Sequence, residues 1–296
     1  MRTVLLRTLG AALALAWLVA MMMPAPASGT GANAMRIVAI GGSVTEIVFA
    51  LGEGGRVVGR DTTSVYPPES APVPEVGYIR AISPEGVLSV NPDLIVALEG
   101  SGPPEAVTVL KESGVPFVTI PEGYDGAAIV AKILATGEAI GVPAKARELA
   151  DEAAARLKAA QAGSAGLMER RKVLFVLSLR EGRVMAAGSD THADGMIAMA
   201  GGINAMGGMS GYKQVSDEAI IEAAPDVILV MDRRDDHAAE DDEIAAHPAL
   251  GATPAGRNRR IIRMDGLYLL GFGPRTADAV SDLHADLYPA SEKPAN

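Results

Sequence analysis

Two distant stretches of this chain repeat one pattern at identical spacing. The first is Ser83-Pro-Glu85-Gly-Val-Leu-Ser-Val-Asn-Pro92-Asp93-Leu-Ile-Val96, the second Ser216-Asp-Glu218-Ala-Ile-Ile-Glu-Ala-Ala-Pro225-Asp226-Val-Ile-Leu229. In each, serine caps a short helix and glutamate sits in the first turn, where the helix dipole favours it. Pro-Asp then ends the helix, and an apolar run follows as a buried strand, Leu94 to Leu98 and Val227 to Met231. A unit used once per half predicts two similar lobes. Two lobes leave a cleft between them, and clefts hold ligands.

At 296 residues the chain is long enough for two domains with proper cores. Apolar residues make up 49% and aromatics 4%, with 33 glycines, which suits α/β architecture and argues against disorder. A formal net charge of −10 argues against a nucleic-acid partner. Arg2 and Arg7 precede an apolar run from Leu9 to Met23, and small-residue cleavage sites follow at Ala25-Pro26-Ala27 and Ala32-Asn33-Ala34. This reads as a cleaved signal peptide over residues 1–34, the run being short for a membrane span. Cysteine is absent, which excludes disulfides, thiolate metal sites, a cysteine nucleophile and a lipid-modified cysteine. The expectation is a free periplasmic protein without a lipid anchor.

Strand and helix signals alternate along the rest. Arg36 to Ile40 is a strand ending in Gly41-Gly42-Ser43, with Ser43 as cap of a helix from Val44 to Leu51. Val57 to Arg60 is the next strand; Glu105 to Ser113 is a helix, Val115 to Ile120 a strand, and Ala127 to Ile140 a helix. The alternation implies a parallel sheet covered by helices. Residues 143–162 lack interior glycine and proline and place Ala146, Leu149, Ala153 and Leu157 at helical intervals. They form one helix of roughly 20 residues, about 30 Å long, read as the lobe-spanning linker. The second lobe opens with a strand from Lys172 to Leu179. It continues with a helix near Asp194 to Ala200, the second repeat unit, an acidic stretch from Asp232 to Glu243, a strand from Ile261 to Met264 and a closing helix from Thr276 to Leu287. The domain plan is therefore 35–142, linker 143–165 and 166–296.

No enzyme signature is present: no nucleophile elbow, phosphate loop, dinucleotide glycine pattern or His-Glu-x-x-His. The acidic stretch lacks metal-site spacing, and the four histidines (His192, His237, His247, His284) are scattered. The segment Val76-Gly77-Tyr78-Ile79-Arg80 is more suggestive. A loop after a strand at a lobe edge faces the cleft in such folds. A deprotonated tyrosine is a hard anionic donor suited to ferric iron. An arginine two residues on can share its side of an extended loop and stabilise the phenolate or bind a ligand carboxylate. The competing reading is a tyrosine packed at a domain edge beside a solvated arginine. Tyr212, in a methionine-rich loop with Met206 and Met209, is a candidate wall of an apolar pocket. Those methionines equally suit an ordinary core.

Nearly all of the mature chain resembles the haem-binding periplasmic proteins of bacterial haem ABC importers. The likeness rests on Ala39-Ile-Gly-Gly-Ser-Val-Thr-Glu46-Ile-Val, Gly77-Tyr78-Ile-Arg80, both repeat units, Met185-Ala-Ala-Gly188, Ala200-Gly-Gly-Ile-Asn-Ala205, Gly211-Tyr212-Lys213, Thr253-Pro-Ala-Gly-Arg257 and Leu269-Leu-Gly-Phe-Gly-Pro-Arg275. The early and repeat elements mark a wider superfamily that also carries cobalamin and ferric siderophores. Gly-Tyr-x-Arg and the Leu-Leu-Gly-Phe-Gly-Pro-Arg segment are much more specific to the haem branch. The resemblance implies two Rossmann-like α/β lobes joined by a single long helix. It implies a monomeric, non-enzymatic carrier that delivers haem to the permease dimer of an inner-membrane ABC importer. Tyr78 falls on the axial haem ligand and Arg80 on a supporting basic position. Some members add a histidine ligand after the first strand of the second lobe. This chain has Ser178-Leu-Arg180-Glu-Gly182 there, without a histidine, which leaves Arg180 as a candidate for a propionate or as a solvated arginine. His192 is an outside candidate for a second ligand, or a surface residue of its helix. Glu85 and Glu218 fall on acids that meet arginines on the two permease subunits. The alternative function is a carrier of another chelate, a ferric siderophore or cobalamin.

Overall fold

A computed structural model describes residues 33–232 and 240–289; the expected signal peptide lies outside them apart from its last two residues, as does most of the acidic stretch. The first lobe runs β1 (Ile37–Ile40), α1 (Gly42–Ala50), β2 (Val57–Arg60), β3 (Gly77–Tyr78), β4 (Ala81–Ile82) and α2 (Pro84–Leu88). It continues with β5 (Leu94–Leu98), α3 (Pro104–Glu112), β6 (Phe117–Ile120) and α4 (Gly126–Ala139). Its main sheet has the order β2-β1-β5-β6, all parallel. β1 is fully buried, as a strand covered on both faces must be, and its unbroken apolar run reflects that.

Helix α5 (Pro143–Ala162) has the bounds read from the sequence. It buries Ala146, Ala150, Ala153 and Leu157 along one stripe. It lies so close to α4 that a Cβ on Gly137 would stand 2.1 Å from the Ala146 Cβ, so glycine at 137 is a packing requirement.

The second lobe holds β7 (Lys172–Arg180), β8 (Arg183–Ala187), α6 (His192–Met199), β9 (Ile203–Asn204), β10 (Tyr212–Val215), α7 (Asp217–Ala223) and β11 (Val227–Asp232). Then come α8 (Asp241–Ala246), α9 (Pro248–Ala252), α10 (Pro254–Arg257), β12 (Ile261–Asp265), α11 (Gly266–Leu270) and α12 (Thr276–Leu287). Here the sheet is mixed, ordered β10-β8-β7-β11-β12 with β9 beside β7. β8 runs antiparallel to β7 because a two-residue turn, Glu181-Gly182, folds the chain straight back, and both of its residues have positive φ (51° and 71°); β10 pairs antiparallel with β8 and so runs with β7.

The repeated unit is one structural device used twice. Ser83 Oγ accepts from the Gly86 amide at 3.0 Å, and Ser216 Oγ accepts from the Ala219 amide at 3.3 Å. The strand that follows, β5 or β11, lies between the first strand of its lobe and the last, β1 and β6 in one lobe, β7 and β12 in the other. One apolar core runs from the first sheet through α4, α5 and α12 into the second, so the lobes share a packed base.

Three local expectations are corrected. Ser43 is inside α1 and does not cap it; Gly41, at φ 111°, turns the chain two residues earlier, and the buried Asp61 carboxylate accepts its amide at 2.8 Å. Tyr212 begins a strand whose register pairs it with Ala187, so it is not in a free loop. Met206 and Met209 pack into the core of the second lobe, which removes them as a ligand face.

Candidate functional site

The site candidate is built on the hairpin β3–β4, where Tyr78 pairs with Ala81 and Ile79-Arg80 make the turn. The extended loop expected from the sequence is thus a tight hairpin. Ile82 donates its amide to Gly102 O at 3.0 Å, and Gly102 returns its amide to Ile79 O at 2.9 Å. This pins the hairpin over the loop that leaves the carboxyl end of β5, the end at which parallel α/β sheets bind ligands. Arg80 Nη1 donates to Gly100 O at 3.2 Å, bracing an otherwise exposed guanidinium. Tyr78 is 48% exposed, which leaves it open to a ligand.

Across the cleft, Tyr212 opens β10 with its ring edge-on to the buried Phe175, centroids 6.3 Å apart. Burial raises its phenol pKa, and the Ala193 amide and Thr191 hydroxyl partly offset this from the start of α6. Arg80 and Tyr124, both of the first lobe, act electrostatically on the same phenol, Arg80 lowering its pKa and Tyr124 raising it. Arg180 is elsewhere. It pairs with Arg183 at the hairpin tip, while Tyr212 pairs with Ala187, four residues along β8 and therefore about 13 Å away at 3.3 Å per residue. The hairpin tip lies beside the α9 start, where His247 Nε2 is 3.0 Å from Gly182 O and 4.0 Å from Asp217 Oδ1 in α7. Glu85 and Glu218 are both exposed, each in the first turn of its capped helix.

The floor between the lobes is ionic, and sequence reasoning missed it. Lys132 of α4 is wholly buried, with Nζ 2.6 Å from Glu122 Oε1 and 3.4 Å from both Ser43 Oγ and Gly271 O. Glu122 Oε1 also lies 3.2 Å from His192 Nε2, outside hydrogen-bond geometry, and that buried nitrogen has no hydrogen-bond partner. Although burial opposes it, the His192 and Lys132 contacts hold the Glu122 carboxyl below the usual range. Burial in turn lowers the Lys132 ammonium pKa despite its carboxylate partner. His192 is accordingly not a surface residue: its ring lies edge-on between Tyr124 at 5.0 Å and Phe272 at 4.9 Å. Tyr124, 42% exposed, was also overlooked. Its place just past the carboxyl end of β6 was the available signal. Among the described residues no group of three or more His, Asp and Glu is arranged to hold a metal ion.

A two-lobed α/β chain with a helix between the lobes and an aromatic, basic cleft defines a solute-binding protein. The chain belongs to the periplasmic binding protein family, whose pattern matches residues 37–268. It is similar to the periplasmic haem-binding protein RhuT from Roseiflexus sp. RS-1 in apo form, with 40% identity and a TM-score of 0.83, over 88% of this chain and 100% of that one. It is equally similar, at 40% identity and a TM-score of 0.81, to the periplasmic haem-binding protein BhuT in complex with two haems, over 85% of this chain and 97% of that one. An ABC transporter substrate-binding lipoprotein of Bacillus subtilis is 29% identical over 87% of this chain and 81% of its own length. A vitamin B12-binding protein of Vibrio parahaemolyticus is 24% identical over 84% of this chain and 87% of its own length. The Bacillus relative is a lipoprotein, whereas this chain contains no cysteine.

Proposed function

We propose that this protein binds haem in the cleft and delivers it to an ABC importer of the inner membrane, without turnover. The observation that carries the reading is the exposed Tyr78 on a pinned hairpin, with Arg80 braced beside it. Tyr78 is the axial ligand: a phenolate oxygen is a hard anionic donor that prefers ferric iron. Arg80 supports it by a charge-assisted hydrogen bond to the phenolate or to a propionate. Tyr212 forms the wall from the second lobe. Arg180, set apart at the hairpin tip, is the weakest member of the ligand set. Glu85 and Glu218 dock the carrier, one per lobe, onto a two-subunit permease. The likeness to RhuT and BhuT, at 40% identity over most of both chains, supports the choice of haem.

Cobalamin is the second reading, and the likeness to a vitamin B12-binding protein favours it. Titrating purified protein with ferric haem and with cyanocobalamin, followed by absorbance, separates the two. The expected result is a shifted Soret band with a saturating haem isotherm. Saturation by cyanocobalamin with no haem spectrum would replace the reading by the alternative.

A further inference from the structure

The loop between β6 and α4 places an aromatic ring at the cleft and fixes it from behind in an unusually elaborate way. Tyr124 keeps 42% of its surface exposed, yet neither its backbone nor its ring is free. Its carbonyl is seated on Gly195 of α6, in the other lobe, so closely that a Cβ there would stand 1.9 Å from the oxygen. A glycine inside a helix is unfavourable relative to alanine, and this contact is what requires it. The Tyr124 ring meets the His192 ring edge-on at an interplanar angle of 88°. His192 is held in turn by Phe272 and by Glu122, and Glu122 by the buried Lys132. A chain of contacts thus runs from the core of one lobe, through the other, to an exposed phenol ring. That ring stands just past the carboxyl end of β6, the end of a parallel sheet at which α/β folds bind ligands.

We propose that Tyr124 is a ligand-contact residue of the cleft, packing against the flat apolar face of the bound ring system, and that His192 is the residue that positions it. The proposal rests on the haem reading above. An aromatic ring anchored from behind and open in front is a preorganised stacking surface, which costs little side-chain entropy when the ligand arrives. Its partner is a planar, extended π system, the shape of a metalloporphyrin. Phenol ligation is left to Tyr78; Tyr124 contributes its face.

The test uses the full chain and ferric haem, with dissociation constants from absorbance titration and folding checked by thermal unfolding. Y124A should weaken binding about tenfold, the scale of one lost stacking contact, with the ferric charge-transfer band in place because Tyr78 is intact. Y124Q, which keeps the bulk without the ring, should show the same loss and covers the case in which the alanine variant fails to fold. Y124F should stay within about twofold of the native protein, since the ring is what matters. H192A should weaken binding in the native background and have no further effect when added to Y124A, as residues acting through one contact are non-additive. Native affinity in Y124A or Y124Q, in a protein that binds haem, overturns the contact role alone. A tenfold loss in Y124F overturns the stacking argument. Equal losses from H192A in both backgrounds overturn the positioning role. A native protein that does not bind haem at all overturns the haem reading, and this proposal with it.

Discussion

Arg275 reaches back 229 positions to clamp Glu46, and in doing so ties one lobe to the other. Its Nε and Nη2 donate to the two carboxylate oxygens at 3.1 and 3.0 Å, and its own amide adds a third bond at 3.2 Å. The guanidinium carbon lies 3.4 Å from the centroid of the Tyr66 ring, a stacked cation–π contact from the first lobe. A Cβ on Gly273 would stand 3.3 Å from the Glu46 carboxyl carbon, so the glycine two residues earlier lets the chains approach.

Breaking this pair should be costly because Glu46 is only 5% exposed. R275A leaves a buried carboxylate without its cation and should lower unfolding free energy by about 3–5 kcal/mol. R275A with E46A should cost less than the sum of the single changes, since the second removes the stranded charge. Urea unfolding of the four proteins reads this directly. Additive losses would mean the pair is not coupled.

The haem site is probed by Y78F, which removes the oxygen and keeps the ring. The expected outcome is loss of the ferric charge-transfer band and a displaced Soret maximum in the haem complex. R80A should weaken binding by roughly tenfold or more, because a hydrogen bond to a charged group is worth about 1.5–3 kcal/mol. Unchanged spectra in Y78F would remove Tyr78 as the ligand, and an unaltered haem dissociation rate in R80A would remove any role for Arg80.

Much of this architecture was legible in the sequence. The repeat unit located β5 and β11 from spacing alone, because a serine cap, an early glutamate and Pro-Asp are local signals that need no tertiary context. Helix α5 was equally readable, since alanine-rich periodicity without glycine or proline leaves little choice. The mixed sheet was less so: β8 returns through Glu181-Gly182, and a tight turn between two apolar runs reads as one long strand or two. The ionic floor was invisible for a different reason. Lys132 sits in a run that reads as an ordinary amphipathic helix, and its burial follows only from the approach of Glu122, Ser43 and Gly271 in three dimensions. His192 likewise read as a helix surface because the loop that covers it, with Tyr124, comes from the other lobe.

Acid sensitivity follows from Glu122. Its carboxyl is held below the ordinary glutamate range in the folded protein despite burial, by His192 and Lys132. A depressed folded value contributes stability that is fully present above the unfolded pKa, about 4.3, and is lost as pH falls through the folded value. Unfolding free energy should therefore decline as the solution is taken below about pH 4.3. E122Q takes up no proton in this range and should flatten that part of the curve while lowering stability near neutrality, where Lys132 is left without its counter-ion. Measuring denaturant midpoints from pH 3 to 7 for both proteins is the check. Parallel curves would assign the acid response to other carboxylates.

Docking on the permease is tested at Glu85 and Glu218. Each occupies the first turn of a short helix capped by its serine, one in each lobe, and each precedes a strand that lies between the first and last strands of its sheet. The two acids are thus structural equivalents presented by a pseudosymmetric carrier. Glu218 is held below the ordinary glutamate range by its own amide and the Ser216 hydroxyl, which favours the charged carboxylate. A dipole role alone is worth about 0.3–1 kcal/mol of helix stability and would involve no partner. Rim charges meeting arginines on two permease subunits would instead set encounter rate and orientation. E85A with E218A should therefore leave haem affinity intact. In reconstituted vesicles it should cut carrier-stimulated ATP hydrolysis and haem uptake, with each single change giving a partial loss and the deficit against the native carrier narrowing as ionic strength rises, because salt screens the contacts the native carrier still makes. Full transport by the double variant would leave both glutamates as helix-stabilising residues and nothing more.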